Sequence, residues 1–364
     1  MDPRNTTTHP LRTPDPEQGL DDARVAPRRR RLAAIITTIV VVIGVGSIVR
    51  VPVHSVGPGP ARDVLDLIKV DGTATHPSKG KLLLTTASVS GQPLTIWEYV
   101  YVWLDPSLAT TPLRTVVQPG LDDEEQDAQN FLAMEQSKLL AELAAFEVLG
   151  QPAVRIRGAR VLSVIQDGPA DGELRPRDLI VAIEGRDVAD EEDVGRLVRG
   201  VGVGETLAFL VRRDGRERTV EIVTGPSRDD PDSPVVGVYV GQAWRLPYEI
   251  EIDTEQIGGP SGGLVFALSI VDVLTPDDLT RGHVIAATGT IERDDEGEIR
   301  IGTIGAVAEK VRAARAAGAT VFMLPAGEAA QAERLAPDDM IVIGVETLME
   351  AIDALGALPV RPAS

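Results

Sequence analysis

The chain has 364 residues, 36 Lys and Arg against 55 Asp and Glu, a net charge of −19 and no cysteine. That length fits two compact domains with appendages at roughly 100–200 residues each, and 43% apolar residues can fill a real core. Absent cysteine excludes disulfides, thiolate metal sites and a cysteine nucleophile. The acidity and 3% aromatic content argue against a nucleic-acid partner.

Charge is unevenly placed. Residues 1–50 hold eight Arg against five Asp and Glu, which leaves −22 on residues 51–364. Residues 1–31 read as a disordered basic tail, polar and Pro-rich, ending in Arg28-Arg29-Arg30-Arg31. Leu32 to Val49 follow without a charge. Eighteen residues at a 1.5 Å rise span about 27 Å, close to the ~30 Å hydrocarbon layer of a bilayer. The pattern predicts an uncleaved transmembrane helix over 32–49, with a cleaved signal peptide as its rival. Arginines before the span place the N-terminus in the cytoplasm and the remainder outside the cell membrane.

Residues 50–79 (VPVHSVGPGPA onward) read as a linker. Lys81–Val89 and Leu94–Leu104 read as strands because β-branched and aromatic residues dominate them. The acidic LDDEEQD stretch leads into an amphipathic helix over Phe131–Leu149. Residues 153–224 predict strands at Val161–Ile165, Leu179–Ile183, Thr206–Arg212 and Arg218–Val223, and a helix at Glu191–Val201. The run Val161-x-x-Val164, Pro169-Ala170, Gly172, Leu174, Asp178-Leu179-Ile180, Ile183-Glu184-Gly185 resembles a bacterial PDZ domain. It departs at Arg177, where that family has Gly. The resemblance implies that a peptide adds as a strand beside Ala159 and Val161, against Val194 and Leu197 of the helix. A small β-rich domain that binds no peptide is the plainer alternative.

After a charged linker (Arg228–Pro234), residues 235–358 predict a β-turn-α-β-α-β order. Strands fall at Tyr248–Ile252, His283–Thr290, Thr320–Leu324 and Met340–Val345, with a hairpin turn at Asp294–Gly297. The overall expectation is an α+β chain. Its chemistry concentrates in Gly258-Gly259-Pro260-Ser261-Gly262-Gly263, followed by the apolar run LVFALSIVDVL. Glycines beside a serine permit unusual backbone angles, and the start of a buried helix offers N–H groups to an oxyanion. An ordinary Gly/Pro turn with serine as N-cap is the alternative.

Lys310 shifts that balance. The chain has 31 Arg but five Lys, and Lys310 is the sole lysine of the last 226 residues. Lysine can lose its proton near neutral pH and arginine cannot. On a helical wheel Lys310 falls among Ala306, Val307, Ala314 and Ala317, opposite Glu309, Arg312 and Arg315. Burial there lowers the amine's pKa and makes it a usable general base for a serine. The alternative is a lysine whose amine snorkels to water.

GGPSGG with its helix, then ATGTI, then IGTIGAVAEK resemble the proteolytic domain of Lon-type serine peptidases, and in particular the membrane-anchored, PDZ-containing Lon-like proteins of bacteria. The resemblance implies Ser261 as nucleophile, Lys310 as base, and Thr288 beside the amine, with Gly259 and Gly262 supporting the oxyanion. The sequence departs from the motif at Gly262 (Ala in the family), Ala306 (Gly) and Gly258 (Asp in ATP-dependent members). GKLLLTT and Met134–Ser137 look like the opening strand and helix of the same domain. That would make 80–150 and 235–358 two parts of one fold, with PDZ 153–224 inserted.

No G-x-x-x-x-G-K-[ST] phosphate loop occurs, so neither ATP nor another cofactor is expected. The resemblance further implies peptide or unfolded-protein substrates and a homo-oligomeric ring, a hexamer. Three rivals remain. A trypsin-like PDZ protease needs a histidine well upstream, and neither His54 nor His76 has the context for it. Carboxy-terminal processing peptidases fit the 49-residue Ser-to-Lys interval less well. A non-catalytic PDZ scaffold is the rival from another class.

Overall fold

The computed structural model describes residues 18–105, 107–112, 123–228, 230–254, 257–294 and 298–361. The tail up to residue 17 and the hairpin tip at 295–297 lie outside the described residues.

Helix α1 (Gln18–Ile48) starts well before Leu32, in the stretch expected to be disordered. Extending a formed helix costs far less than nucleating one, so the apolar run carries its flank with it. Its Arg31–Ile48 window is apolar and long enough to cross a membrane, a property that signal sequences share.

Two further expectations fail. The supposed linker 50–79 holds β1 (Val53–Asp63) and β2 (Ile68–Asp71). After β3 (Lys81–Val89), the second predicted strand is instead α2 (Ile96–Leu104). A capping box decides it. Thr95 Oγ1 accepts from the Glu98 N–H, and the Glu98 carboxylate accepts from the Thr95 N–H at 2.7 Å. Next come β4 (Ala109–Pro112) and α3 (Asp123–Val148).

Residues 154–245 form a separate unit. It comprises β5 (Val154–Val164), β6 (Leu179–Ile183), β7 (Arg186–Asp187), α4 (Glu191–Arg199), β8 (Thr206–Arg213), β9 (Arg216–Val223), β10 (Gly225–Pro226), β11 (Pro234–Val235) and β12 (Val238–Arg245). Its sheet runs β12-β5-β6-β8-β9, and the last of the chain's strands in it, β12, went unpredicted. Val161, Ile180, Val194, Phe209 and Ile222 fill its core. Arg177 takes the left-handed φ of +76° in the turn where the family has Gly, so the turn survives the substitution. The adjacent Asp178 is buried and bound by both Nε and Nη2 of Arg213, at 2.7 and 2.5 Å.

The chain then supplies β13 (Glu249–Ile252), α5 (Gly263–Leu274), β14 (Val284–Ala287), β15 (Thr290–Arg293), β16 (Ile299–Gly302), α6 (Val307–Ala316), β17 (Val321–Pro325), α7 (Ala326–Glu333), β18 (Ile341–Val345) and α8 (Leu348–Gly356). The short helix α7 was also unforeseen. Six strands from both sides of the 154–245 unit build one sheet, ordered β18-β17-β14-β3-β1-β4. Its centre is parallel, with Ala287 opposite both Leu84 and Met323, while β1 runs antiparallel between β3 and β4. β13 closes against β2, which ties the later half to the segment taken for a linker.

Helices cover both faces. The fully buried α5 packs with α3 and α8 on one side, and α6 and α7 cover the other. Leu264, Val265, Phe266, Leu268 and Ile270 lose all contact with water. At about 1.5–3 kcal/mol for each such side chain, this helix is the main apolar anchor of the body.

Asp178→Ala removes two charge-assisted hydrogen bonds from the half-buried Arg213. It is expected to cost about 1.5–3 kcal/mol, read as a lowered urea midpoint by circular dichroism.

Candidate active site

The carboxyl end of β14 and the start of α5 meet at one point, the position where open α/β sheets commonly carry their chemistry. Gly259 takes φ of +95°, a left-handed conformation that turns the chain into the single helical turn Pro260–Gly262 ahead of α5. Ser261 sits in that turn, half-buried. The turn is held from four directions. Ser261 O accepts from the Gly289 N–H at 2.9 Å and from Thr288 Oγ1 at 3.1 Å. Ser137 Oγ on α3 donates to Pro260 O at 2.8 Å, and Asn130 O accepts from the Gly259 N–H at 2.8 Å.

Lys310 approaches from the opposite face of the sheet. It lies in the first turns of α6, 4% exposed, on the apolar side the helical wheel predicts. Its Nζ stands 2.8 Å from Ser261 Oγ and 3.2 Å from Thr288 Oγ1. Burial pulls the amine down from 10.5 to about 8, and the Glu328 carboxylate works against that fall. Glu309 departs from the wheel, being buried beside Arg312 at 3.3 Å.

The expected site residues divide as follows. Ser261, Lys310 and Thr288 come together. Gly262 is buried and opens the helix whose first N–H groups lack intrahelical acceptors. The Gly259 N–H is occupied by its bond to Asn130 O. Ser137 stood in the Met134–Ser137 stretch but was given no role, and Asn130 was missed, since both lie more than 120 residues from the serine.

Two of the three positions that depart from the motif the sequence resembles, Gly262 and Ala306, leave structural marks. A methyl group on Gly262 would sit 2.6 Å from the Phe266 ring, so here the ring fills that space. Ala306 adopts φ of +56° immediately before α6, a conformation glycine takes without strain.

Of the expected peptide-binding residues, Ala159 and Val161 are buried and paired on both sides. Residues 159–160 of β5 face β6, while β12 lies against 159–161 on the other flank. No incoming strand fits there. Val194 is buried in the unit's core and Leu197 is half-buried, packed against it. Among the described residues the edge strand beside α4 is β12.

Comparison with known proteins agrees with this second unit. The PDZ domain family description matches residues 132–224, so the chain contains a PDZ domain. A probable periplasmic serine endoprotease, DegP-like, of Ectopseudomonas mendocina is 36% identical over 72 residues, 20% of this chain and 15% of that protein. The pro-apoptotic serine protease NMA111 of Meyerozyma guilliermondii is 30% identical over 87 residues, 24% of this chain and 9% of that protein. The chain thus spans a small part of either relative. Among solved structures, the PDZ domain of an SdrC-like protein from Listeria innocua is 25% identical, covering 23% of this chain and 92% of that one at a TM-score of 0.22. A solution structure from Geobacillus thermodenitrificans is 30% identical with a TM-score of 0.21, covering 23% and 95%. The similarity is to PDZ-bearing serine proteases, at low identity and over a fraction of their length.

Two predictions follow from the backbone and charge at this site. Ala306→Gly removes the left-handed strain and is expected to stabilise the fold by about 1 kcal/mol, seen as a higher Tm. Lys310→Met removes an amine that must be desolvated. Because the folded-state value is depressed from 10.5 to about 8, the folded state carries a penalty of about 3 kcal/mol below pH 8. That penalty fades as pH rises from 8 to 10.5, where the unfolded chain still holds the proton. The methionine variant should therefore be more stable than the parent at pH 7 and lose its advantage above pH 10.5, measured by urea unfolding across that range.

Proposed function

We propose that the protein is an ATP-independent serine endopeptidase of Lon-like type that works through a Ser261–Lys310 dyad. One observation carries the reading: a buried amine with its pKa drawn to about 8 stands 2.8 Å from a serine hydroxyl at the head of a buried helix. The uncharged amine takes the Ser261 proton as Oγ attacks the peptide carbonyl. The N–H groups of Gly262 and Gly263 at the α5 start bind the oxyanion, since that of Leu264 is held by Gly289 O at 3.1 Å, and the ammonium then returns the proton to the departing amine. Water, deprotonated by the same amine, hydrolyses the acyl-enzyme. Thr288 orients Nζ while its hydroxyl binds Ser261 O.

Around that centre the reading places an anchor at residues 32–49, with the catalytic body outside the cytoplasm, and assembly into a ring. The PDZ domain presents peptides or unfolded segments. Its peptide then pairs with the outer edge of β12, flanked by α4, in place of the Ala159–Val161 edge that β12 covers.

The similarity to DegP-like proteases raises a histidine-based alternative, and the geometry opposes it. His283 binds Thr320 Oγ1 at 3.2 Å and Pro359 O at 2.9 Å, while His54 Nδ1 binds Ser90 O at 2.6 Å. Neither makes a hydrogen bond to Ser261.

The test uses an active-site serine probe on the full chain. Wild type should label, Ser261→Ala should not, and Lys310→Arg should label about 100-fold more slowly or worse, since a fixed cation cannot act as base. The labelling rate should climb with pH to a plateau, half-maximal near pH 8. An unlabelled wild type would leave a non-catalytic PDZ scaffold, and labelling that survives Ser261→Ala would move the nucleophile elsewhere.

A further inference from the structure

Helix α2 (IWEYVYVWL) has a solvent-facing surface that a soluble domain seldom shows. Trp103 is 77% exposed, Leu104 67%, Tyr101 61% and Trp97 41%, while Val102 alone of the helix is buried. Its single charge, Glu98, is tied down in the capping box.

The same helix is fastened to α1. Trp97 Nε1 donates to Ile43 O at 3.0 Å, and the indole lies so close to Gly46 that a methyl group there would sit 2.5 Å from it. Gly46 is the one buried residue in the stretch 32–49. The junction is rigid, because Val51 N donates to Leu94 O at 2.7 Å, Ile96 N to Val49 O at 3.3 Å and Arg50 Nη1 to Pro93 O at 2.7 Å. An aromatic helix is thus held at a set height beside the end of the apolar span.

We infer that α2 lies in the interface of the bilayer that α1 crosses, and that it seats the body on the lipid surface. This rests on reading 32–49 as a membrane span. Ile43 lies five residues before the helix end at Ile48, so the Trp97 contact falls about 8 Å inside that end. Interfacial helices bury their apolar side roughly 5–10 Å deep, at the headgroup boundary. Tryptophan and tyrosine favour that layer, since each pairs an apolar ring with a polar tip. The exposed apolar side chains of α1 continue into those of α2, so one lipid phase covers both. A peptide or a second copy would cover α2 without explaining its attachment to the span.

The test reconstitutes the full chain in phosphatidylcholine–phosphatidylglycerol vesicles that carry lipids brominated near the headgroup or near the chain end. Three tryptophans are present, and the third, Trp244, sits on β12 of the PDZ unit. Headgroup-side bromine should quench about half or more of the emission, and chain-end bromine much less. Trp103→Phe should lose part of that quenching without touching the α1 contact, and Trp97→Phe with Trp103→Phe should lose nearly all of it. Alkaline extraction, run in parallel, reports on the span. If the chain stays in the vesicles but bromine quenches nothing, the inference falls while the anchor stands. Aqueous iodide reaching Trp103 would then mean that α2 faces water, and shielding from both quenchers would mean that a second copy covers it. Release of the chain by alkali would overturn the anchor, and this inference with it.

Discussion

A primary amine kept dry beside a hydroxyl is the constraint around which the larger body of the chain is arranged. An ammonium is costly to bury, so Lys310 stays at its position only because the surrounding fold outweighs the cost. The weight comes from α5 and the parallel strands, whose fully buried Leu, Val, Ile and Phe side chains offset several times the penalty of one amine. The serine comes from the head of that same helix. The group that needs desolvation and the helix that supplies the stability are therefore joined through a 2.8 Å contact across the sheet. Burial is the dominant influence on the amine, and Glu328 of α7 opposes the uncharging.

The residues next to the dyad show how small changes in one place require answers in another. Glycine at 262 leaves a methyl-sized space, and the Phe266 ring one turn along α5 takes it. Packing at crystal-like density permits no other outcome, since an empty pocket there would lose contacts on every wall. Position 306 works in reverse. Alanine is forced into a left-handed conformation because the chain must turn sharply from β16 into α6 for Lys310 to face inward. The strain is local and modest, and it is tolerated next to a site whose geometry demands the turn.

Much of this was legible in the residues. Ser261 and Lys310 stood out because a Gly-rich turn before an apolar helix and a lone lysine among arginines are both rare patterns with a specific chemical use. What escaped detection had physical reasons. β1 reads as a linker because of its Pro and Gly residues, yet Gly57 and Gly59 allow close passage of neighbours. A methyl on Gly59 would lie 2.3 Å from Thr86 Oγ1, and the pairing with β3 shifts register between Pro58 and Ala61. α2 has strand composition, but Thr95 and Glu98 cap it, and nothing in a periodicity argument weighs a cap against seven β-favouring side chains. The pairing that covers Ala159 and Val161 escaped notice because β12 sits over 70 residues beyond β5 in sequence, and a strand partner at that separation leaves no local trace.

Helix α3 makes contacts in both units. Asn130 and Ser137 lie seven residues apart, close to two turns, so they share one face, and both bind the loop that carries Ser261. Glu142, five residues further, points to a different side. It is buried near Arg160 of β5 and Arg177 of the turn before β6. Burial raises its carboxyl to about 7 while those two arginines and Lys138 pull it back down. Lys138 in turn donates to Ile252 O on β13 at 3.2 Å. One helix therefore touches the Ser261 loop along one face and the PDZ unit along another, with a buried carboxyl of raised pKa at the junction. The Ser261 loop and the PDZ unit thus both rest on the same helix.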